Sequence, residues 1–358
     1  MKIGIIGLAN SGKTTIFNAL TGQNIPTTVY PTTDGQPHEG IVRVPDERVD
    51  TLSRLFNPKK TTYATVHYVD YIGLTKGDPV QNRKVLDVIK DVNAVLHVVR
   101  SFEDESIPHP FGRVDPHGDM ATLRMELLLS DLELVEKRLQ RMEETSKKGK
   151  KPDEKEMHVL IKCKEALESE TPLRDVEFSE EESIAIRHLQ FITTKPEVLV
   201  INLSEEDIGT EKEKELLETL SGDGSYPVVS LSGKIEMEIA QLSEQDRKAF
   251  LEDLGLEEPA MHRVIRLCYE HLGLISFFTV VQQEVRAWTV KRGTIALNAA
   301  GKIHTDMQRG FIKAEVINYE DFISVGSMAE ARKRGLLRLE GKNYEVRDGD
   351  IITFRFNI

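Results

Sequence analysis

The chain has 358 residues, 39% hydrophobic and 30% charged, enough for two or three domains and a sizeable core. Its net charge of −12 excludes an evenly basic nucleic-acid binder, and no apolar run reaches the length of a membrane span. Cys163 and Cys268 have neither metal-ligand spacing nor a disulfide framework, so a reducing cytoplasm is the expected location.

Lys2-Ile3-Gly4-Ile5-Ile6 is a short apolar run of the kind a buried parallel strand needs, and with a strand at its start the chain is expected to carry no signal peptide. Gly7-Leu8-Ala9-Asn10-Ser11-Gly12-Lys13-Thr14 follows and reads G-x-x-x-x-G-K-[ST], the phosphate-binding P-loop. Thr15-Ile16-Phe17-Asn18-Ala19-Leu20 then has helical spacing and stops at Gly22. Strand, glycine loop and helix start are the three parts a phosphate cradle needs. Lys13 is expected on the β- and γ-phosphates and the Thr14 hydroxyl on Mg²⁺, with Asn10, Ser11, Gly12 and Thr15 completing the nucleotide-binding loop.

Residues 23–40, rich in Pro and Thr, read as a loop in the place of switch I. Thr28, Thr32 and Thr33 are candidates there to complete the Mg²⁺ shell. Gly40–Val44 reads as a strand, Asp46–Leu55 as a short helix and Tyr63–Asp70 as a second strand. That strand ends in Asp70-Tyr71-Ile72-Gly73, a D-x-x-G where a Walker-B Asp belongs. Asp70 is expected to hold Mg²⁺ through water, and the Gly73 N–H to sense the γ-phosphate. Leu74 stands where small GTPases carry a glutamine that orients the attacking water. A leucine can neither donate nor accept a hydrogen bond, so either intrinsic hydrolysis is slow or another group must position the water.

Asp91–Arg100 is another buried strand, with His97 read as a core histidine and His109, in the following Pro-flanked loop, as a surface one. From Asp119 leucines recur at three- and four-residue spacing, Lys147–Lys151 break the pattern, and Glu154–Leu167 offers a return helix. This predicts an antiparallel coiled-coil hairpin inserted at 119–194, because Pro196–Asn202 returns to a buried strand. The strand ends in Asn202-Leu203-Ser204-Glu205, where a GTPase has N-K-x-D. Glu205 is one methylene longer than the Asp that accepts both guanine donors, and Leu203 replaces the Lys that packs on the base. A misplaced charge-assisted hydrogen bond loses roughly 1.5–3 kcal/mol, or about 10–100-fold of guanine preference. Leu203 is expected to cover a purine face, and ATP is the expected nucleotide with GTP accepted. Ser232-Gly233-Lys234, after the strand Tyr226–Leu231, is placed to meet the purine through main-chain N–H groups.

From Leu274 short strands and turns make a small α+β module. It carries 13 Lys and Arg against 10 Asp and Glu, a net of +3, so the remainder of the chain carries −15.

The motif order resembles that of the YchF-type Obg-like ATPases, a branch of the Obg-related translation-factor GTPases. The resemblance rests on the P-loop, on Val98-Val99-Arg100-Ser101-Phe102-Glu103-Asp104, and on Asp131-Leu132-Glu133-Leu134-Val135-Glu136-Lys137-Arg138-Leu139. It rests also on Glu284-Val285-Arg286-Ala287-Trp288-Thr289, Gly301-Lys302-Ile303-His304-Thr305-Asp306 and Val346-Arg347-Asp348-Gly349-Asp350. It implies an α/β P-loop G domain at 1–118 and 195–273, the helical insertion at 119–194, and a β-grasp-like TGS domain at 274–358. It implies a monomer with slow ATP hydrolysis to ADP, relaxed base choice, and ribosome or RNA contact through the coiled coil and TGS domain, with no membrane partner. Thr28 occupies the family's Mg²⁺-binding switch I position, and Leu74 its hydrophobic replacement of the glutamine. His109 matches a loop histidine proposed to position water. Asn10 matches a P-loop asparagine that helps bind a monovalent cation, adding K⁺ to the expected cofactors. Ala9, Ser11 and Thr14, switch I after Thr28, and the shortened stretch after Gly77 depart from the family pattern. Two other functions fit the same motifs: a nucleotide-gated binding module with vestigial hydrolysis, and a GTP-preferring Obg-like GTPase.

Overall fold

A computed structural model describes residues 1–27, 37–75, 79–149, 151–222, 224, 226–281 and 283–357. Thr28, Thr32 and Thr33, and Lys76-Gly77-Asp78 of the switch II stretch, lie outside the described residues. Two compact units form, Met1–Gly40 with His67–Met261, and Ile41–Val66 with His262–Ile358.

The strands run β1 (Lys2–Ile6), β2 (His38–Arg43), β3 (Lys60–Thr62), β4 (Thr65–Asp70), β5 (Ala94–Ser101), β6 (Glu197–Leu203) and β7 (Val228–Leu231), with β3 alone in the second sheet. The first sheet has the order β2-β4-β1-β5-β6-β7. β1 pairs in parallel with β4 and β5, β5 with β6, and β6 with β7. Every residue of β5 and β6 is buried, as expected of strands covered on both faces.

Helices α1 (Lys13–Thr21), α2 (Glu47–Phe56), α3 (Pro79–Ile89), α4 (Pro116–Lys147), α5 (Glu154–Glu168), α6 (Glu180–Ile186), α7 (Glu211–Ser221) and α8 (Gly233–Gln241) punctuate the strands. Asp115, followed by Pro116 at the first helical position, accepts a hydrogen bond from Gly118 N and starts α4. Asp153 caps α5 by accepting from Lys155 N and Glu156 N. The hairpin α4–α5 has its own core of Leu128, Val135, Met142, Val159, Leu160 and Cys163, and Arg138 clasps Glu156 across it at 2.7 and 2.8 Å.

Two buried polar groups fix the root of this insertion. Asp131 on α4 accepts from Ile192 N, Thr193 N and Thr193 Oγ1 at 3.0, 2.7 and 2.7 Å, holding the chain where it re-enters the sheet. Glu197, fully buried on β6, meets His97 Nδ1 at 2.9 Å, Arg124 Nε at 3.3 Å and the Arg174 guanidinium. Burial alone would raise the Glu197 pKa. The His97 hydrogen bond and the charges of Arg174 and Arg124 outweigh it and hold it at about 2. Burial pushes the His97 pKa down, so His97 is the core histidine its sequence setting suggests and donates to Glu197 as a neutral ring.

The second unit is an α+β module. It adds β8 (Leu274–Val281), β9 (Glu284–Lys291), β10 (Phe311–Asn318), β11 (Arg338–Glu340) and β12 (Asp350–Phe356) in the order β11-β10-β12-β8-β9-β3. Its core joins Phe277, Val316, Ile352 and Phe354 with Ala296, Ala299 and Ala300 of the helix Ala296–Ile303. Residues 41–66, which sequence order puts inside the first nucleotide-domain segment, pack in this unit. β3 pairs in parallel with β9, Thr62 Oγ1 donates to Glu284 Oε1 at 2.6 Å, and Phe56 stacks on Phe322 at 5.4 Å. Among the described residues no helix is long and apolar enough to cross a membrane.

Because the folded Glu197 pKa lies below the usual value of 4.5, its contribution to stability is complete above about pH 4.5 and lost as pH falls toward about 2. Urea unfolding of the protein and of Glu197→Gln should therefore show a stability gap that is constant from pH 7 to 5 and shrinks steadily below 4.5.

Candidate functional site

The loop between β1 and α1 turns its donors toward one point. Lys13 Nζ donates to Leu8 O at 2.7 Å, and Ser11 N to the same oxygen at 3.4 Å. Gly12 caps α1 at φ 93°, a left-handed conformation that favours glycine. A Cβ there would sit 2.1 Å from Asn202 Nδ2, so both backbone and space require the glycine. Burial lowers the Lys13 pKa to about 8, against the opposing attraction of Asp70. The Ser11 hydroxyl is buried with no hydrogen-bond partner among the described residues. An ammonium and a main-chain N–H therefore meet at one carbonyl oxygen, beside a buried hydroxyl, and donors of these kinds are what a phosphate requires.

Asp70 ends β4 beside Ile5 of β1. Thr14 Oγ1 donates to Asp70 Oδ2 at 2.7 Å, and Asp70 Oδ1 is buried without a hydrogen-bond partner among the described residues. Burial raises the Asp70 pKa, with Lys13 and the Thr14 hydrogen bond opposing. A buried carboxylate oxygen with no donor, next to a hydroxyl on the helix N-terminus, suits a hard cation such as Mg²⁺. No group of three His, Cys, Asp or Glu among the described residues could hold a metal ion by itself, so water and phosphate oxygens would complete the shell. Gly73 packs against the cradle: a Cβ would lie 2.5 Å from Lys13 Nζ and 2.6 Å from Ala9 N. Leu74 is zipped to the loop by its backbone, donating to Gly7 O at 3.1 Å and accepting from Ala9 N at 2.9 Å. Its side chain is buried in the core with Ile6, Leu8 and Leu86, away from solvent.

His109 corrects the sequence reading. Its side chain is not on the surface but almost wholly buried. Its Nε2 meets Asp119 Oδ2 on α4 at 2.8 Å, and its Nδ1 accepts from Phe111 N at 3.2 Å. Both ring nitrogens are engaged, and the carboxylate that buries the ring lies ten residues on, on a helix. The neighbouring Pro108 O does reach the cradle, accepting from Asn10 Nδ2 at 2.9 Å.

On the opposite side, Asn202 spans two loops. Its Nδ2 donates to Ser11 O at 3.0 Å and its Oδ1 accepts from Gly233 N at 2.9 Å. Two expectations change here. The Gly233 N–H is spent on Asn202 rather than free for a purine. Leu203 is 2% exposed and packs with Leu199, Ile201, Leu216 and Leu220, so it does not cover a base. Side chains alternate along a strand, and the face that aims Asn202 at the P-loop turns Leu203 into the core. Ser232 is buried at the start of α8. Glu205 is half exposed and pairs with Lys234 Nζ at 2.7 Å.

Comparison with known proteins fits this geometry. A family model described as a 50S ribosome-binding GTPase matches residues 2–161, and the YchF-GTPase C-terminal model, described as a protein of unknown function, matches residues 274–357. The Ribosome-binding ATPase YchF of Bacillus subtilis is 44% identical over 366 residues, with 100% of each chain covered. That of Escherichia coli O157:H7 is 40% identical over 361 residues, covering 100% of this chain and 99% of the relative. The chain belongs to the YchF family.

The solved YchF GTPase of Schizosaccharomyces pombe has a TM-score of 0.85 to this chain at 29% identity, covering 99% of this chain and 97% of that one. The P-loop NTPase sheet, the inserted hairpin and the C-terminal α+β module are thus the YchF fold. One residue at this YchF site carries no role in the sequence reading. Arg100 is the last residue but one of β5 and sets its guanidinium beside the P-loop, and the signal for it was an arginine near the end of a fully buried strand.

Gly73→Ala should drive a methyl into Lys13 and Ala9 and cost about 1–3 kcal/mol by overpacking. Thermal denaturation of the nucleotide-free protein should show it as a lowered midpoint.

Proposed function

We propose that this chain binds ATP with Mg²⁺ on Gly7–Thr14, hydrolyses it slowly to ADP, accepts GTP less well, and acts on the ribosome in the cytoplasm. The observation that carries this reading is the convergent donor set of the loop beside the Thr14–Asp70 pair with its open Oδ1. Lys13 would neutralise the β- and γ-phosphates, and the main-chain N–H groups of Asn10, Ser11, Gly12, Lys13, Thr14 and Thr15 would wrap them. Thr14, Thr28 and, through water, Asp70 would hold Mg²⁺. When bound, the ion neutralises phosphate charge. The Gly73 N–H would meet the γ-phosphate. K⁺ as a further cofactor rests on Asn10 alone.

Base choice is supported by Glu205. Its carboxylate is shared with Lys234 and set one methylene beyond the place of an Asp, which weakens recognition of guanine. Asn202 would act on the base only while bridging Ser11 and Gly233. The ribosome enters through the relatives named ribosome-binding ATPases, with the coiled-coil insertion of 119–194 and a TGS-type domain at 274–358 as the contacting parts of a monomer. The remaining segments, 1–118 and 195–273, would form the nucleotide domain.

A second reading, in which nucleotide gates a partner and hydrolysis is vestigial, is favoured by one observation. Leu74 is in the core and His109 is tied to Asp119, so neither offers a free group to a water. Single-turnover hydrolysis with and without ribosomes separates the two: background rates in both, with ribosome affinity still changed by nucleotide, would select the gated module. Titration calorimetry should give tighter binding of ATP than of GTP, and a strong guanine preference would overturn the base assignment.

Lys13 gives a pH signature. Its pKa of about 8 would rise once a phosphate is bound, so binding takes up a proton above pH 8. ATP affinity should be level below about pH 7.5 and fall above 8, and Lys13→Ala should lose at least about tenfold in affinity and the pH dependence with it.

A further inference from the structure

Arg100 is 2% exposed and makes no ion pair among the described residues. Its contacts are instead with main-chain carbonyls. Nε donates to Phe102 O at 3.0 Å, Nη2 lies 3.5 Å from Asp104 O, and Nη1 lies 3.5 Å from Asn10 O of the P-loop. The guanidinium also stacks over the Phe102 ring at 4.4 Å. Glu103, Asp104 and Asp119 act on it only at longer range, and burial draws its pKa down.

Its position in the sheet gives these contacts a purpose. Arg100 on β5 is the register partner of Asn202 on β6, so the two side chains stand side by side on one face. Asn202 holds Ser11 O and Arg100 reaches Asn10 O, two consecutive carbonyls of the phosphate loop. A trans peptide is planar, and its C=O and following N–H point in opposite directions. Drawing the Asn10 carbonyl outward therefore aims the Ser11 N–H inward, where it and Lys13 Nζ meet at Leu8 O. Asn10 itself sits at φ 61°, a left-handed conformation that asparagine adopts more readily than most residues. The contacts of 3.5 Å are at the outer edge of hydrogen bonding, but a cation in a water-poor site acts on carbonyl dipoles at that range.

We propose that Arg100 is the positioning residue of the phosphate loop. It supplies from β5 the cation that β6 lacks, because Leu203 stands where a GTPase has lysine and faces the core. It acts through the Asn10–Ser11 peptide, and its buried charge is balanced by nucleotide phosphate. The inference rests on the nucleotide-binding reading above.

The test is the dissociation constants of fluorescent ATP, ADP and GTP analogues for the full chain, Arg100→Ala and Arg100→Lys, alongside the melting temperature of each nucleotide-free protein. Arg100→Ala should weaken ATP and ADP together by roughly 10–100-fold, as expected for loss of a charged donor, and leave the ATP-to-GTP ratio unchanged. Arg100→Lys should recover most of that loss. Arg100→Met, which keeps the apolar stem, carries the same comparison if Arg100→Ala does not fold. Affinities within twofold of the unaltered chain, or a lowered melting temperature with unchanged affinity, would overturn the positioning role. Loss of ATP binding with ADP binding intact would overturn it too. If the unaltered chain binds none of the three nucleotides, the functional reading fails instead.

Discussion

A phosphate-binding loop made of main chain faces one constraint: every inward N–H requires a carbonyl turned outward into the protein, and that carbonyl needs a donor. Here the donors come from strands far away in sequence. Asn202 serves Ser11 O and Arg100 approaches Asn10 O. Gly12 is tied to the same constraint, since any side chain there would collide with the Asn202 amide. The order of β1, β5 and β6 in the sheet is therefore part of the chemistry, because it puts these side chains under the loop. The Thr14–Asp70 contact depends on it as well, through the parallel pairing of β1 and β4.

The same sheet must tolerate a long helical insertion between β5 and β6. Buried polar groups solve the attachment. Asp131 accepts three hydrogen bonds where the chain returns, and Glu197 gathers His97, Arg124 and Arg174 around one carboxylate. An isolated carboxylate in such a place would be protonated or destabilising, and the surrounding donors keep Glu197 ionised. The insertion is thus fixed at its root by directional bonds, while its far part is held by an ordinary leucine-rich seam.

The D-x-x-G segment meets the loop in a different way. Leu74 contributes only its backbone, which stitches the end of the D-x-x-G segment to Gly7 and Ala9. His109 is packed on Asp119 rather than presented to water. Neither side chain presents a free polar group to a water.

The sequence by itself determined the phosphate loop, the Thr14 and Asp70 pair, the parallel strands and the helical insertion. Those depend on short-range patterns: glycines at fixed spacing, runs of apolar residues, and leucines at helical intervals. It also held a signal that went unread, since strand alternation already sets Asn202 and Leu203 on opposite faces. Only the tertiary structure decided the rest. The burial of His109 depends on a carboxylate from α4, and the placing of residues 41–66 on β3 pairing with a strand more than 200 residues away. Arg100 meets Asn10 across 90 residues of chain. Which distant group satisfies a buried donor or acceptor is set by sheet order and register, and no local spacing encodes that.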